Sequence, residues 1–350
     1  LVPYGDLARR QADGLVDLSV GTPVDPTPPV VQAALRAAAD APGYPLTVGT
    51  GQLRASVAAY LHRRLGVAVE PTGVLPTVGS KELVALLPSL LGLGPADRVL
   101  LPELAYPTYD VGARLAGARP VAVADVSAAD PTGVALVWLN SPSNPTGAVT
   151  SAAELRAVVA WARAHGALVV SDECYAEFGW EAAPVSVLHP SVCGDSMAGL
   201  LAVHSLSKRS NMAGYRAGFF AGDPDVIARL LEVRKHAGLM VPAPVQAAMV
   251  AALDDDAHVE EQRARYAARR AVLRPALEAA GWRVEHSEGG LYLWARSATG
   301  DCWNSVQRLA ELGILVAPGE FYGPVGSRHI RVALTATDER VAAAAARLGA

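Results

Sequence analysis

The stretch whose reading decides the fold is SLSKRSNMAGYRAG, residues 205–218. Lys208 stands at its centre, Ser205 and Ser207 lie just before it, and Arg216 follows. An apolar run, GLLAVH (199–204), leads in, and a second, AGFFA (217–221), leads out. Both have the length and composition of buried strands. Lys208 is therefore expected on a tight connection at a strand end, with hydroxyls and a guanidinium in reach. That arrangement suits a lysine whose amine forms an imine with an aldehyde, while Ser and Arg hold an attached phosphate.

Composition sharpens this reading. Of 30 Lys and Arg residues, only Lys81, Lys208 and Lys235 are lysine, and the other 27 are arginine. Arginine stays protonated, whereas a lysine can lose its proton and act as a nucleophile. Lys235, inside RLLEVRKH, reads as an ordinary surface charge. The chain has 350 residues, enough for about two domains at ~150 residues each. Apolar residues make up 51% and charged residues 18%, the balance of a globular chain rather than a disordered one. A net charge of −4 favours neither nucleic acid nor an anionic membrane surface as partner. The cysteines Cys174, Cys193 and Cys302 are odd in number and have no paired spacing, which fits a reducing cytoplasm and not a metal site. The first residues, LVPYGDLARR, show no apolar core of the kind a signal peptide carries, and no initiator Met. The apolar stretch 237–253 is interrupted by Pro242 and Pro244 and falls short of the ~20 residues of a membrane span. No internal repeat is evident.

Outward from the lysine, strands and helices alternate. Residues 17–30, with Gly21 and four prolines, read as an extended arm. A helix is expected from Pro29 to about Asp40, then a glycine-rich segment with Tyr44, then a second helix through ASVAAYLHRRLG. Near Thr77 or Val78 a strand ends, Gly79 and Ser80 turn the chain, and a helix begins near Lys81. Its N-terminus would present free N–H groups to an anion. Strands are expected at 98–102, 119–124, 134–140 and 167–171, the last ending at Asp172. Ser151 and Glu154 form a capping box that opens the helix between the last two. This alternation predicts an α/β fold with a largely parallel sheet, in which ligands bind beyond the carboxyl ends of the strands. Ser80, Tyr106, Asn144, Asp172 and Lys208 fall at those ends. After residue 222 the pattern changes to a long charged helix (about 255–280), short strands and HIRVAL, which carries Arg331. Two units are expected: a large one over 41–240, and a smaller α+β unit from 1–40 and 241–350.

A site for pyridoxal phosphate needs a lysine for the imine and an acid to keep the pyridine nitrogen protonated. It also needs donors to the phenolate oxygen, an aromatic cover and a phosphate cradle. Each has a candidate here, in order along one chain. The motifs SPSNPTG (141–147), SDECYAEF (171–178), SLSKRSNMAGYRAGF (205–219) and HIRVAL (329–334) resemble those of the class I/II aminotransferases, fold type I of the pyridoxal phosphate enzymes.

The resemblance implies a homodimeric enzyme with a large domain built on a mostly parallel sheet flanked by helices. It implies that Lys208 holds the cofactor and moves the proton between the substrate α-carbon and the cofactor, and that Asp172 pairs with the ring nitrogen. Asn144 and Tyr175 would hold the phenolate oxygen, and Tyr106 would stack on the ring. Gly79, Ser80, Lys81, Ser205, Ser207 and Arg216 would cradle the phosphate. Arg331 would clamp the substrate α-carboxylate near the Gly21 backbone. Tyr44 would reach the phosphate of the neighbouring subunit.

Within the family, GSKELVALLPSLLGLG, ELAYPTYDVGARLAGA and VRKHAGLMVPAPVQAA most resemble the bacterial N-succinyldiaminopimelate aminotransferases of lysine biosynthesis. These exchange amino groups with glutamate and 2-oxoglutarate. Lys81 departs from the small or amide residue common at its position. It would serve either the phosphate or a distal substrate carboxylate, for which Arg209, Lys235 and His236 are further candidates. Other readings on the same scaffold are an LL-diaminopimelate, aspartate or aromatic aminotransferase, a C–S lyase or a decarboxylase. A clamped carboxylate disfavours the last. A cofactor-binding regulator without turnover is disfavoured by the intact Lys208 and Asp172.

Overall fold

The computed structural model describes residues 1–349. Seven strands form the large sheet: β1 (Val74–Val78), β2 (Arg98–Pro102), β3 (Arg119–Val123), β4 (Val134–Asn140), β5 (Leu168–Asp172), β6 (Leu200–Ser205) and β7 (Ala217–Gly222). Their order across the sheet is β1-β7-β6-β5-β4-β2-β3. Only β7 runs antiparallel to its neighbours. The predicted strands stand within a residue of their expected bounds, because each is an apolar run closed by a polar or turn residue.

Helices cover both faces. Along β4, Leu136 and Trp138 enter one core while Val137 enters the other, as the two-residue period of a strand requires. The capping box forms as expected: the Ser151 side chain accepts from the Glu154 N–H, and the Glu154 carboxylate accepts from the Ser151 N–H. All six residues of β6 and all six of β7 are buried, so the segment between them is held at the centre of the sheet.

The smaller unit holds an antiparallel sheet in the order Ala317–Pro318, His329–Ala333, Tyr292–Ser297, Trp282–Glu285. The long helix Ala257–Ala279 and the helices Cys302–Glu311 and Asp338–Leu348 pack on it around Leu293, Ile330 and Val332. Val16–Asp17 pairs in parallel with Ile314–Leu315, which ties the N-terminal segment to this unit.

The packing does not follow the expected boundaries at 40/41 and 240/241. Val31 of the helix Pro29–Ala37 is buried in the core of the large sheet, and so are Ala248, Met249, Ala252 and Leu253 of the helix Ala243–Asp254. The apolar face of the second helix draws it onto the large unit, although the sequence pattern had already changed at residue 222. We propose a division in which residues 29–254 form the large unit. Among the described residues no helix is long and apolar enough to cross a membrane.

Candidate active site

Parallel strands place their carboxyl ends along one edge, and the edge residues converge on a cavity of about 520 Å³. Its lining includes Gly21, Ser80, Lys81, Tyr106, Asn144, Asp172, Tyr175, Ser205, Ser207, Lys208, Arg216 and Arg331. Of the residues singled out from sequence, Gly79 lies one position outside the lining and Tyr44 stands apart. Tyr44 is 95% exposed, on the loop between the helices Pro29–Ala37 and Gly51–Leu65. Arg209, Lys235 and His236 are not in the lining. Arg209 is buried, 3.7 Å from the Glu177 carboxylate, and Lys235 pairs with Glu232 on the surface.

Lys208 lies on the single helical turn Leu206–Arg209 that follows β6. The Ser205 hydroxyl caps this turn by accepting from the Ser207 N–H at 3.1 Å. The chain then returns to β7 through Asn211 (φ 50°) and Arg216 (φ 55°), both left-handed. Left-handed backbone is costly for a side chain with a Cβ, and it turns the Arg216 side chain back over the sheet edge. The guanidinium lies so close to Gly79 that a Cβ there would overlap it. Gly79, at φ 72°, ends β1 and opens the helix Ser80–Leu90. An arginine, two serine hydroxyls and a helix N-terminus therefore meet at one end of the cavity, a donor set that fits a phosphate.

Asp172 ends β5 and is buried. The Tyr109 hydroxyl donates to its Oδ2 at 2.8 Å, and the Cys174 N–H donates to its Oδ1 at 3.2 Å. Tyr109 is itself fixed by stacking on Trp138, with ring centroids 4.9 Å apart. Burial pushes the Asp172 carboxyl above the usual carboxylate range, and the bonds from Cys174 and Tyr109 offset that only in part. Among the described residues it makes no ion pair. A protonated ring nitrogen would supply the missing cation, so this carboxylate fits the acid that a pyridine cofactor needs.

Arg331 is a buried guanidinium on the strand His329–Ala333. Nη1 donates to Asn144 Oδ1 at 2.8 Å and Nη2 to the Ser19 carbonyl at 2.7 Å, while Nε has no partner. The group lies 4.0 Å from the Tyr292 ring centroid and 4.9 Å from that of Tyr322. No carboxylate pairs with it among the described residues, which leaves a buried cation directed at an anion from outside. The backbone carbonyl it bonds is that of Ser19, and Gly21 lines the same cavity. Gly21 lets the arm pass against Tyr292, since a Cβ there would overlap the Tyr292 hydroxyl.

Sequence reasoning missed Ser19, Tyr109, Asn140, Cys174, Tyr292 and Tyr322. Tyr109 stands at helical spacing from Tyr106. Tyr292 shares a sheet face with Trp294, which pairs in register with Arg331. These spacings were the available signals. The Asn140 amide donates to the Asp172 carbonyl at 2.9 Å, and its oxygen accepts from the Asn144 N–H at 2.7 Å, so it seats the SPSNPTG loop.

Comparison with known proteins agrees with this geometry. The family model described as aminotransferase class I and II matches residues 13–348. The chain is 64% identical over 348 residues to the 4-dedimethylamino-4-oxo-anhydrotetracycline transaminase OxyQ of Streptomyces rimosus, covering 99% of this chain and 97% of that one. It is 35% identical over 375 residues to the LL-diaminopimelate aminotransferase of Gloeobacter violaceus, covering 99% and 95%. The structure superposes on the probable N-succinyldiaminopimelate aminotransferase of Thermus thermophilus with a TM-score of 0.89 and 31% identity, covering 99% and 98%.

Proposed function

The chain belongs to the class I and II aminotransferases, and from that premise we propose that it exchanges amino groups between N-succinyldiaminopimelate and the glutamate/2-oxoglutarate pair, a step toward lysine. The observation that carries this choice is the set of cations lining the cavity. Among the described residues these are Lys81, Lys208, Arg216 and Arg331. With Lys208 at the chemistry, Arg216 on a phosphate and Arg331 on an α-carboxylate, Lys81 is left for a distal carboxylate. It is exposed, with its ammonium 5.9 Å from the Tyr106 ring centroid.

Pyridoxal 5′-phosphate, the cofactor of this family, supplies when bound an electrophilic carbon and a ring that accepts the electrons of the substrate α-carbon. The residues of this chain do the rest. Lys208 Nζ attaches the cofactor, then takes and returns the proton at the α-carbon. Asp172 keeps the ring nitrogen protonated, and Tyr109 keeps Asp172 in place. Tyr175 and Asn144 hold the phenolate oxygen, and Tyr106 covers the ring. Gly79 admits Arg216, which holds the phosphate with Ser80, Ser205 and Ser207. Arg331 orients the substrate through its α-carboxylate, which directs the bond to be broken. A homodimer in which the exposed Tyr44 reaches the partner's phosphate is part of the same proposal.

The 64% identity to a transaminase named for a tetracycline-type ketone favours a second reading, in which the amino acceptor is a polycyclic ketone. The aromatic rim of Tyr106, Phe321 and Tyr322 would suit such a ring system. One screen separates the two. The enzyme in its amine form is mixed with the succinylated oxo acid, with 2-oxoglutarate, or with an aromatic ketone lacking an α-carboxylate, and the cofactor absorbance is followed. We expect the two oxo acids to react, and Lys81→Ala to slow the succinylated one more than 2-oxoglutarate. Reaction of the ketone alone with the glutamate-loaded enzyme would establish the second reading.

A further inference from the structure

Tyr292 begins the strand Tyr292–Ser297 and is 3% exposed, so its hydroxyl must find a partner inside the protein. That partner is the Tyr175 hydroxyl, at 2.9 Å. The face of the same ring lies beneath the Arg331 guanidinium, 4.0 Å from its centroid. The N-terminal arm closes over the hydroxyl at Gly21, where no side chain fits. One residue thus touches both the group proposed for the phenolate oxygen and the group proposed for the carboxylate.

The direction of the hydrogen bond follows from counting hydrogens. A tyrosine has one hydroxyl hydrogen and can also accept. If Tyr175 gives its hydrogen to the cofactor's phenolate oxygen, it can only accept from Tyr292. The Tyr292 hydrogen is then committed to Tyr175, and the two bonds polarise in the same sense.

We propose that Tyr292 is a positioning residue that donates its hydroxyl hydrogen to Tyr175, strengthening Tyr175 as a donor to the cofactor, while its ring seats Arg331. The proposal rests on the reading of Tyr175 and Arg331 given above. The titratable and charged groups around the two hydroxyls are Arg331 and Tyr322 from the smaller unit, Tyr266 from the long helix, and Asp172, Cys174 and Lys208 from the sheet edge.

Two substitutions separate the two contacts. Tyr292→Phe keeps the ring and removes the hydroxyl, and Tyr292→Leu removes both. The readout is the pH at which the Lys208 nitrogen of the loaded enzyme loses its proton, followed by visible absorption, together with KM and kcat for glutamate. Without the Tyr292 hydrogen, Tyr175 is a weaker donor and the phenolate is less stabilised. The Lys208 nitrogen therefore keeps its proton to higher pH.

For Tyr292→Phe we expect a midpoint raised by about half a unit to one unit, a lower kcat, and KM within about twofold of wild type. For Tyr292→Leu we expect KM to rise about tenfold as well. Tyr175→Phe should raise the midpoint further, and adding Tyr292→Phe to it should change nothing more. If Tyr175→Phe shifts the midpoint and Tyr292→Phe does not, the inference fails and the reading of Tyr175 stands. If Tyr175→Phe leaves the midpoint unchanged, both fail. Loss of thermal stability in both Tyr292 variants with no change in midpoint would reduce Tyr292 to a packing residue and overturn the proposal.

Discussion

Replacing Arg331 by lysine keeps the buried charge and removes the planar fork. The guanidinium makes two bonds at 2.7–2.8 Å, to Asn144 and Ser19, and lies against two tyrosine rings at 4.0 and 4.9 Å. An ammonium, a compact charge with shorter reach and no planar fork, cannot meet the two protein acceptors and the incoming carboxylate together in one plane. A hydrogen bond to a charged group contributes about 1.5–3 kcal/mol, and a desolvated cation–π contact adds about 2 kcal/mol, most of it retained by lysine. The net loss of transition-state binding is then about 2–3 kcal/mol, or roughly thirty- to two-hundredfold in kcat/KM. The assay is the half-reaction of the loaded enzyme with glutamate, with the succinylated diamino acid, and with a primary amine lacking an α-carboxylate. Both amino acids should fall by similar factors and the amine should change little. An effect on one amino acid only, or an equal effect on the amine, would refute the placement of the α-carboxylate on Arg331.

Lys208→Ala should abolish turnover and covalent cofactor attachment with an unchanged far-ultraviolet circular dichroism spectrum, since Lys208 lines the cavity; turnover near the wild-type rate would remove Lys208 from the chemistry. Asp172→Asn should retain cofactor and lose activity by at least about a hundredfold, because an amide still accepts from Tyr109 but brings no negative charge to the ring nitrogen. Equal activity of the two proteins would exclude Asp172. Glu173, buried behind the site and raised to about 7 by desolvation, holds its proton in the folded state where the unfolded chain has released it. It therefore favours folding at low pH, and that contribution is lost as pH rises from about 4.5 toward 7. Glu173→Gln should gain stability relative to wild type over this window, by on the order of 3 kcal/mol, in urea melts at pH 5 and pH 7.5. A pH-independent difference between the two would show that Glu173 is ionised throughout. His204, whose Nε2 lies 3.4 Å from the Glu173 carboxyl, is itself held near 3 by burial and stays neutral in the folded wild type across this window.

Read alone, the sequence determined the alternation of strands and helices, the lysine connection between β6 and β7, and the order of the motifs. Each of these is local: an apolar run, a cap or a turn residue is specified by its immediate neighbours, and a parallel sheet then gathers the strand ends without further instruction. The proposed phosphate cradle was legible for the same reason, because its parts sit at strand ends and a helix start. What only the tertiary structure decided are contacts between distant segments. Arg331 meets Asn144 across 187 positions and the Ser19 carbonyl across 312. Tyr175 meets Tyr292 across 117. No local pattern encodes such pairs, because they depend on how the smaller unit is laid over the sheet edge. The helix Ala243–Asp254 shows the same limit. Its apolar character is plain in the sequence, but an apolar helix does not say which core it will join. That is settled by which surface remains uncovered once the sheet has formed, and here it is the face already carrying the helices Pro29–Ala37 and Gly51–Leu65.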